Sequence, residues 1–356
     1  MRFTIVTPSF NQLDWLELCI ASVADQGRKR AEAGNLSLSE GKVNEWEGEK
    51  VGAERSEPEA KPEIGRCGDQ TDWSEATAAR RDRRRARSTW EGGSRAETEK
   101  IFIEHLVCDG GSEGIVDFKG RMLARFPETS HYRLEFLVGP DAGMYDAINK
   151  GLRRSTGDIC SYLNCDEQLL PGVLTTVGEY LAKHAEIDVV FGDSILVDAQ
   201  GAALCYWRPY VPTLNHLAGA TLNTLSCSTF FRGSMIEAGH LFEPQWKAIG
   251  DLQWIRGLLA KGRSMGCLHR PLATFTFLGD NLGASRIAMD EFEMTRTRRR
   301  GVRSIFRRGI HFVRKIVSGS YTRRQITYHI FSIDNPHRRN RYSHSSLGWA
   351  WPRSQR

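Results

Sequence analysis

Four short polar groups in this sequence each follow a run of apolar residues. They are Thr7-Pro8-Ser9-Phe10-Asn11, Asp109-Gly110-Gly111-Ser112, Pro140-Asp141-Ala142-Gly143 and Asn164-Cys165-Asp166-Glu167. Any one of them alone reads as a turn or a helix cap, because Asp, Asn, Ser and Gly dominate turns for local reasons. Four in succession, most with an acid and two with glycine that lets a ligand approach the backbone, outline a site. The set is acidic. It carries neither the GxGxxG of dinucleotide binders nor the GxxxxGK[ST] of phosphate-loop enzymes. An acidic site that holds a diphosphate needs a bridging cation, and Mg²⁺ or Mn²⁺ bound by one or two carboxylates plus phosphate oxygens meets that need. Asp166, with Glu167 beside it, is the expected metal ligand. The ion would neutralise charge developing on a leaving diphosphate.

The elements that must position these groups are short strands and amphipathic helices. Phe3-Thr4-Ile5-Val6 is a β-rich run ended by Pro8, and Leu13, Leu16, Ile20 and Val23 then recur at helical spacing. Residues 101–108, 134–138, 158–163 and 188–191 read as further strands, and 144–153 as a helix. Pro171 opens another helix, with Val173, Val177, Tyr180 and Leu181 on its apolar face. Strands alternating with helices imply an α/β fold with a mostly parallel, doubly wound sheet and helices on both faces. Ligands of such sheets bind beyond the carboxyl ends of the strands, where the four polar groups fall.

Two segments stand apart. Residues 28–99 are rich in Glu, Arg, Gly, Ser and Ala, acidic at first and basic later, with few large aliphatics. Such a stretch cannot bury enough apolar surface to offset its ordering entropy and is expected to be a disordered insertion. After about residue 290, Arg and Lys interleave with Ile, Phe and Val, which predicts a basic amphipathic helical tail over 291–356. Its stretch 296–324 suits an anionic membrane surface. The net charge of +6 over 356 residues is mild. The eight cysteines form no CxxC pair, no run approaches a membrane span, and the first residues read as a strand rather than a leader. The expected location is therefore cytoplasmic, peripheral at the inner face of the membrane.

The polar groups also resemble motifs of family 2 glycosyltransferases, which have the GT-A fold, over residues 1–27 and 100–290. The likeness is greatest to bacterial enzymes that build cell-surface polysaccharides. Residues 7–11 resemble the family's first nucleotide-contacting strand end, and 109–112 its DGGS motif. The stretch from Pro140 to Gly151 is very similar to the signature PDxGxYDAxNKG, and Leu163 to Glu167 falls where the family has its metal motif. Ile249-Gly250-Asp251-Leu252-Gln253-Trp254 resembles the segment carrying the catalytic base. The sequence departs from the family in three places. Glu113-Gly114-Ile115-Val116 replaces a Thr-Asp-Gly-Thr run, Glu167 replaces a second Asp, and Gly250 replaces an acid.

The resemblance implies an inverting, metal-assisted transfer from a UDP-, GDP- or dTDP-sugar to the hydroxyl of a glycan or lipid-linked acceptor. Asp251 would take the acceptor's proton. Thr7, Pro8, Ser9, Asn11, Asp109, Gly110, Asp141, Gly143, Asp146, Asn149, Lys150, Asn164 and Cys165 would line the nucleotide-sugar site, with Asp166 and Glu167 on the metal. Three other readings stay open: a nucleotide-sugar-binding pseudoenzyme, a nucleotidyltransferase and, more remotely, a nucleic-acid binder acting through the Arg-rich tail.

Overall fold

A computed structural model of the chain describes residues 1–27, 101–217, 222–279, 285–295 and 302–352. The charged segment 28–99, expected to be disordered, lies outside the described residues. Nine strands make one sheet: β1 (Arg2–Ser9), β2 (Phe102–Asp109), β3 (Tyr132–Val138), β4 (Ile159–Tyr162), β5 (Gln168–Leu169), β6 (Val189–Val197), β7 (Ala203–Trp207), β8 (Thr229–Arg232) and β9 (Met265–Thr276). Their order is β3-β2-β1-β4-β8-β6-β9-β5, with β7 paired to β6. The half made of β3, β2, β1 and β4 is wholly parallel. In the other half β8 runs antiparallel between β4 and β6, and β9 returns parallel to β6.

The inner strands of the parallel half read as largely apolar runs because helices cover the sheet, while the edge strand β3 alternates. Seven of the eight residues of β1 are buried, and so are seven of the eight of β2. The longer helices are α1 (Leu13–Ala24), α2 (Ile115–Arg125), α3 (Met144–Arg154), α4 (Val173–Lys183), α5 (Gly250–Ala260), α6 (Arg286–Thr295) and α7 (Val302–Val317). Helix α3 lies against β1 and β2. At Gly151 a Cβ would fall 2.5 Å from Val6 Cγ1 and 3.0 Å from Cys108 Sγ, so only glycine allows this approach.

The tail departs from the helical expectation. Helix α7 is followed by an antiparallel hairpin of β10 (Arg324–Ser332) and β11 (Asn335–Leu347). The cause is a two-residue period: Ile326, Tyr328 and Ile330 are buried on one face. The density of arginines around them hides that period from a reading by composition. The hairpin is fastened to the sheet and to α1. Gln168 Nε2 donates to Phe331 O (3.0 Å) and its Oε1 accepts the Phe331 N–H (2.9 Å). Arg339 Nε reaches Asp25 at 2.7 Å, and its Nη1 donates to Leu169 O at 3.0 Å. Phe331 also packs on Leu18 and Ala21.

Candidate active site

The carboxyl ends of the four parallel strands meet in a connected set of loops. Asn11 takes a left-handed conformation (φ 53°), which lets its N–H donate to Ser112 Oγ at 2.7 Å while its Oδ1 accepts from Glu113 N at 3.2 Å. Asp109 accepts from Gly111 N (2.9 Å), Ser112 N (2.7 Å) and Ser112 Oγ (2.7 Å). The glycine after it lies under the third loop, since a Cβ on Gly110 would fall 3.0 Å from Asp141 Oδ2. Asp141 Oδ1 accepts the Gly143 N–H at 2.9 Å, and Asp146 Oδ2 accepts that of Ala142 at 3.0 Å. The fourth loop joins the first through Cys165, whose thiol donates to Gln12 Oε1 at 2.8 Å.

The side chains expected to line the donor site divide into two groups. Five serve the fold. Thr7 is fully buried and bonds His105 Nε2 at 2.9 Å, where burial lowers the His105 pKa to about 3. Pro8 is buried beside it. Asn149 is 1% exposed and clamps the backbone of Phe242, donating to its O (2.8 Å) and accepting from its N (3.0 Å). Asp109 is also 1% exposed, with its carboxylate engaged by its own loop, so it builds that loop rather than presenting an oxygen to a ligand. Cys165 is buried, and burial, then Asp166, raises its thiol pKa well above the usual value.

The second group stays open to the cleft or lacks a partner. Asn11 is exposed; Gly110, Asp141, Gly143, Asp146 and Lys150 are half-buried around the loops. Lys150 pairs with Asp146 at 3.6 Å and also reaches Pro140 O. Ser9 Oγ and Asn164 Oδ1 are buried with no hydrogen-bond partner, at the ends of the adjacent strands β1 and β4. Buried polar atoms are almost always paired, so each of these two is open to a partner from outside the chain.

The two expected metal ligands face different surroundings. Asp166 is half-buried, and its carbonyl accepts from Thr276 Oγ1 on β9. Glu167 is fully buried. Its Oε2 accepts the Asn164 N–H at 2.8 Å and its Oε1 accepts from Ser226 Oγ at 3.1 Å. Burial, then the neighbouring Asp166, lifts its pKa to about 8. Glu167 therefore holds the loop from behind, and the expectation that it coordinates beside Asp166 does not fit this enclosure. Among the described residues no three His, Cys, Asp or Glu cluster as a cage for an ion.

Asp251 sits in the first turn of α5, its Oδ1 accepting the Leu252 N–H at 2.7 Å. Tyr145, from the first turn of α3, ties it to the loop set. The Tyr145 hydroxyl accepts the Asp251 N–H at 3.2 Å and lies 3.5 Å from Asp251 Oδ1. Gly250 makes room for this contact, because a Cβ there would fall 2.5 Å from the Tyr145 ring. Burial raises the Asp251 carboxyl pKa to about 6, against the lowering effect of the Leu252 N–H. The approach to α5 is fixed from 40 residues away in sequence. Glu291 accepts the N–H groups of Lys247 (2.6 Å), Ala248 (2.9 Å) and Ile249 (3.1 Å).

Asp251 lines a small recess of about 10 Å³, room for one water-sized group, together with Tyr162, Thr224, Ser226, Phe242 and Trp254. Phe242 stacks on Tyr145 (5.5 Å) and on Trp254 (4.9 Å). Ser226 belongs both to this wall and to the Glu167 hydrogen bond, so one side chain joins the Asp251 pocket to the Asp166 loop. Sequence reasoning missed Tyr145, Tyr162, Ser226 and Glu291. Tyr145 lies inside the 140–151 signature and was within reach; nothing in the sequence marks the other three. It also missed Asp193, fully buried and bonded to Tyr206 Oη (2.7 Å) and Arg208 Nε (2.9 Å). His269 Nδ1 lies 3.5 Å from that Asp193.

Comparison with known proteins adds the chemistry. No protein-family model matches the chain. An uncharacterized glycosyltransferase of Mycobacterium tuberculosis (strain CDC 1551 / Oshkosh) is 29% identical over 99 residues, 28% of this chain and 36% of that protein. A PGL/p-HBAD biosynthesis glycosyltransferase of Mycobacterium bovis (strain BCG / Pasteur 1173P2) is 30% identical over 96 residues, 26% of this chain and 36% of that protein. The chain is similar to glycosyltransferases. The similarity spans little more than a third of the length of these curated relatives. Among solved structures, S. aureus TarS 1-349 in complex with UDP-GlcNAc aligns with a TM-score of 0.49 and 12% identity, over 83% of this chain and 64% of that one. The mannosyltransferase PcManGT from Pyrobaculum calidifontis, in complex with GDP-Man and Mn²⁺, aligns with a TM-score of 0.44 and 13% identity, over 77% of this chain and 56% of that one. Both scores fall below 0.5, too weak a likeness to carry an argument.

Proposed function

We propose that this chain is an inverting glycosyltransferase of family 2 that moves a sugar from a nucleotide-sugar donor to an acceptor hydroxyl. The observation that carries the reading is Asp251. Its carboxylate stands in the wall of a concavity, joined through Ser226 and Glu167 to the loop of Asp166 and through Tyr145 to the loop of Asp141. A pKa near 6 keeps Asp251 ionised at neutral pH yet basic enough to accept a proton.

The donor lies across the carboxyl ends of β1 to β4, on the backbone of Gly110 and Gly143 and against Ser9, Asn11, Asp141 and Lys150. Ser9 Oγ and Asn164 Oδ1 supply the unpaired polar atoms there. The acceptor hydroxyl enters the concavity and attacks the anomeric carbon from the side opposite the leaving group. Its oxygen forms the new C–O bond, its proton passes to Asp251, the anomeric C–O bond to phosphate breaks, and the nucleoside diphosphate departs with that electron pair. The anomeric configuration inverts.

Mn²⁺ or Mg²⁺ fits the residues present. Asp166 would hold the ion, with Asn164 Oδ1, which has no protein partner, as a second hard oxygen donor two residues away, and phosphate oxygens would supply the rest. When bound, the ion stabilises charge on the departing diphosphate. A panel of UDP-, GDP- and dTDP-sugars with Mn²⁺ or Mg²⁺ tests the reading by thermal shift and donor hydrolysis. One donor class is expected to raise Tm and to be turned over; silence toward all of them would overturn the assignment. The acceptor is a glycan or lipid-linked hydroxyl, by the resemblance of residues 140–151 to enzymes of surface polysaccharides.

A further inference from the structure

Helix α7 is oriented against the rule for a helix on a water-facing surface, which buries its apolar stripe and exposes its charges. In its C-terminal half Arg314 and Lys315 turn inward. The Arg314 guanidinium lies 5.1 Å from the centre of the Tyr210 ring, and Lys315 Nζ lies 5.0 Å from that of Trp207 and 5.8 Å from that of Tyr321. Burial lowers the Lys315 pKa. The apolar side chains Ile310, Phe312, Val313, Ile316 and Val317 turn outward, between 46% and 65% exposed. Aromatic rings extend this face. Phe312 sits 5.7 Å from Tyr321, and Tyr321 sits 4.5 Å from Trp349, which is 42% exposed. Trp351, 41% exposed, lies 5.0 Å from Trp207.

We propose that this face, α7 with Trp349, docks in the headgroup region of an anionic lipid bilayer. Contiguous exposed apolar surface of this kind marks an interaction site. Its charge environment selects the occupant. The stretch 296–324 contains eleven Arg and Lys and no Asp or Glu. A second copy would bring the same cationic stretch against this one, whereas a bilayer of acidic lipids supplies the opposite charge. Exposed Trp and Tyr rings suit the apolar-to-polar boundary of a membrane. Among the described residues no helix is long and apolar enough to cross a membrane, and α7 has the make-up of one that lies in its surface. The arginines of the sequence motivate the charge term; the outward apolar stripe supplies the hydrophobic term that binding also needs. The proposal does not depend on the transfer reaction.

Full-length protein is mixed with phosphatidylcholine vesicles with and without phosphatidylglycerol, then sedimented. Wild type is expected to bind the anionic vesicles only, less so at high salt. Ile316→Asp and Val313→Asp change exposed side chains, and each is expected to weaken binding about tenfold or more while leaving Tm unchanged. Tryptophan emission of the wild type should be quenched by brominated lipid, a readout that needs no variant. Three results would overturn the proposal. These are no binding to anionic vesicles, variants that bind like wild type, and a wild-type dimer that Ile316→Asp converts to a monomer. Donor-induced thermal shift, measured alongside, reports on the transferase reading separately.

Discussion

The loop after β2 and the first turn of α5 each hold an acid, Asp109 buried and Asp251 half-buried, and they hold it differently. Asp109 is met by three donors from its own loop within 2.9 Å. Asp251 is met by one close N–H, that of Leu252 at 2.7 Å, and by a tyrosine hydroxyl at 3.5 Å. A carboxylate that spends three of its roughly four acceptor sites on its own loop shapes the backbone and has little left to give a substrate. A carboxylate desolvated with few donors is left eager for a proton, and its pKa moves up to about 6. Asp109 is buried and Asp251 half-buried; the number of donors separates the loop-building acid from the proposed base.

The largest effect expected is on turnover at the second site. Asp251→Asn should lower kcat by about 10²–10⁴-fold while donor-induced thermal shift persists. In the wild type, kcat/KM should fall as pH drops through about 6, the point where Asp251 takes up a proton. A variant that keeps near-full turnover would erase the contrast between the two acids.

The reverse substitution, Asp109→Ala, should act on the fold. It strands the Gly111 and Ser112 N–H groups and the Ser112 hydroxyl, a loss of about 2–4 kcal/mol in urea unfolding together with weaker donor binding. If stability stays within error of wild type and only kcat falls, Asp109 is doing chemistry and the division above is wrong.

A subtler test uses pH. The folded-state pKa of Asp251 is raised, so its ionised form opposes folding. That cost is absent below the unfolded value near 4, grows as pH rises toward 6 and is complete above it. Asp251→Asn should therefore be more stable than wild type at pH 8 by about 1–2 kcal/mol, after allowance for its partial exposure, and equal to it at pH 3.5. Equal stability at both pH values would mean that Asp251 is as well satisfied as Asp109.

The smallest effect concerns the approach to α5. Glu291→Gln leaves the size intact and weakens three charge-assisted bonds to residues 247–249, with an expected loss of about 1–2 kcal/mol. kcat should fall severalfold with donor affinity unchanged, since Glu291 touches only the segment that carries Asp251. A change in donor affinity with kcat preserved would place Glu291 on the wrong side of the cleft.

The parallel half of the sheet was legible in the sequence because β1, β2 and β4 are buried on both faces and read as largely apolar runs, edge strand β3 alternates, and the strand ends carry the turn-forming polar residues. That legibility extended to where the loops lie and not to which atoms face a ligand. Thr7, Asn149 and Asp109 have the right types at the right positions, yet each spends its polar atoms inside the protein. Residue type cannot tell a filled lone pair from an open one. Glu291 and Ser226 were invisible for another reason: they act on backbone or on a carboxylate more than 40 residues distant, a relation that no local pattern records. In the tail, the two-residue period of 326–330 was present but outweighed by a run of arginines that signals amphipathic helix.

The double hydrogen bond between Gln168 and Phe331 has a practical consequence. Gln168 follows Glu167 directly, so the β10–β11 hairpin braces the strand by which the chain leaves the Asp166 loop. A chain cut before residue 302 would lose that brace along with α7, and a fall in both lipid binding and donor binding would then be uninterpretable. Single substitutions on the outward face of α7 leave the brace in place. The tail is thus to be dissected by point change and never by deletion.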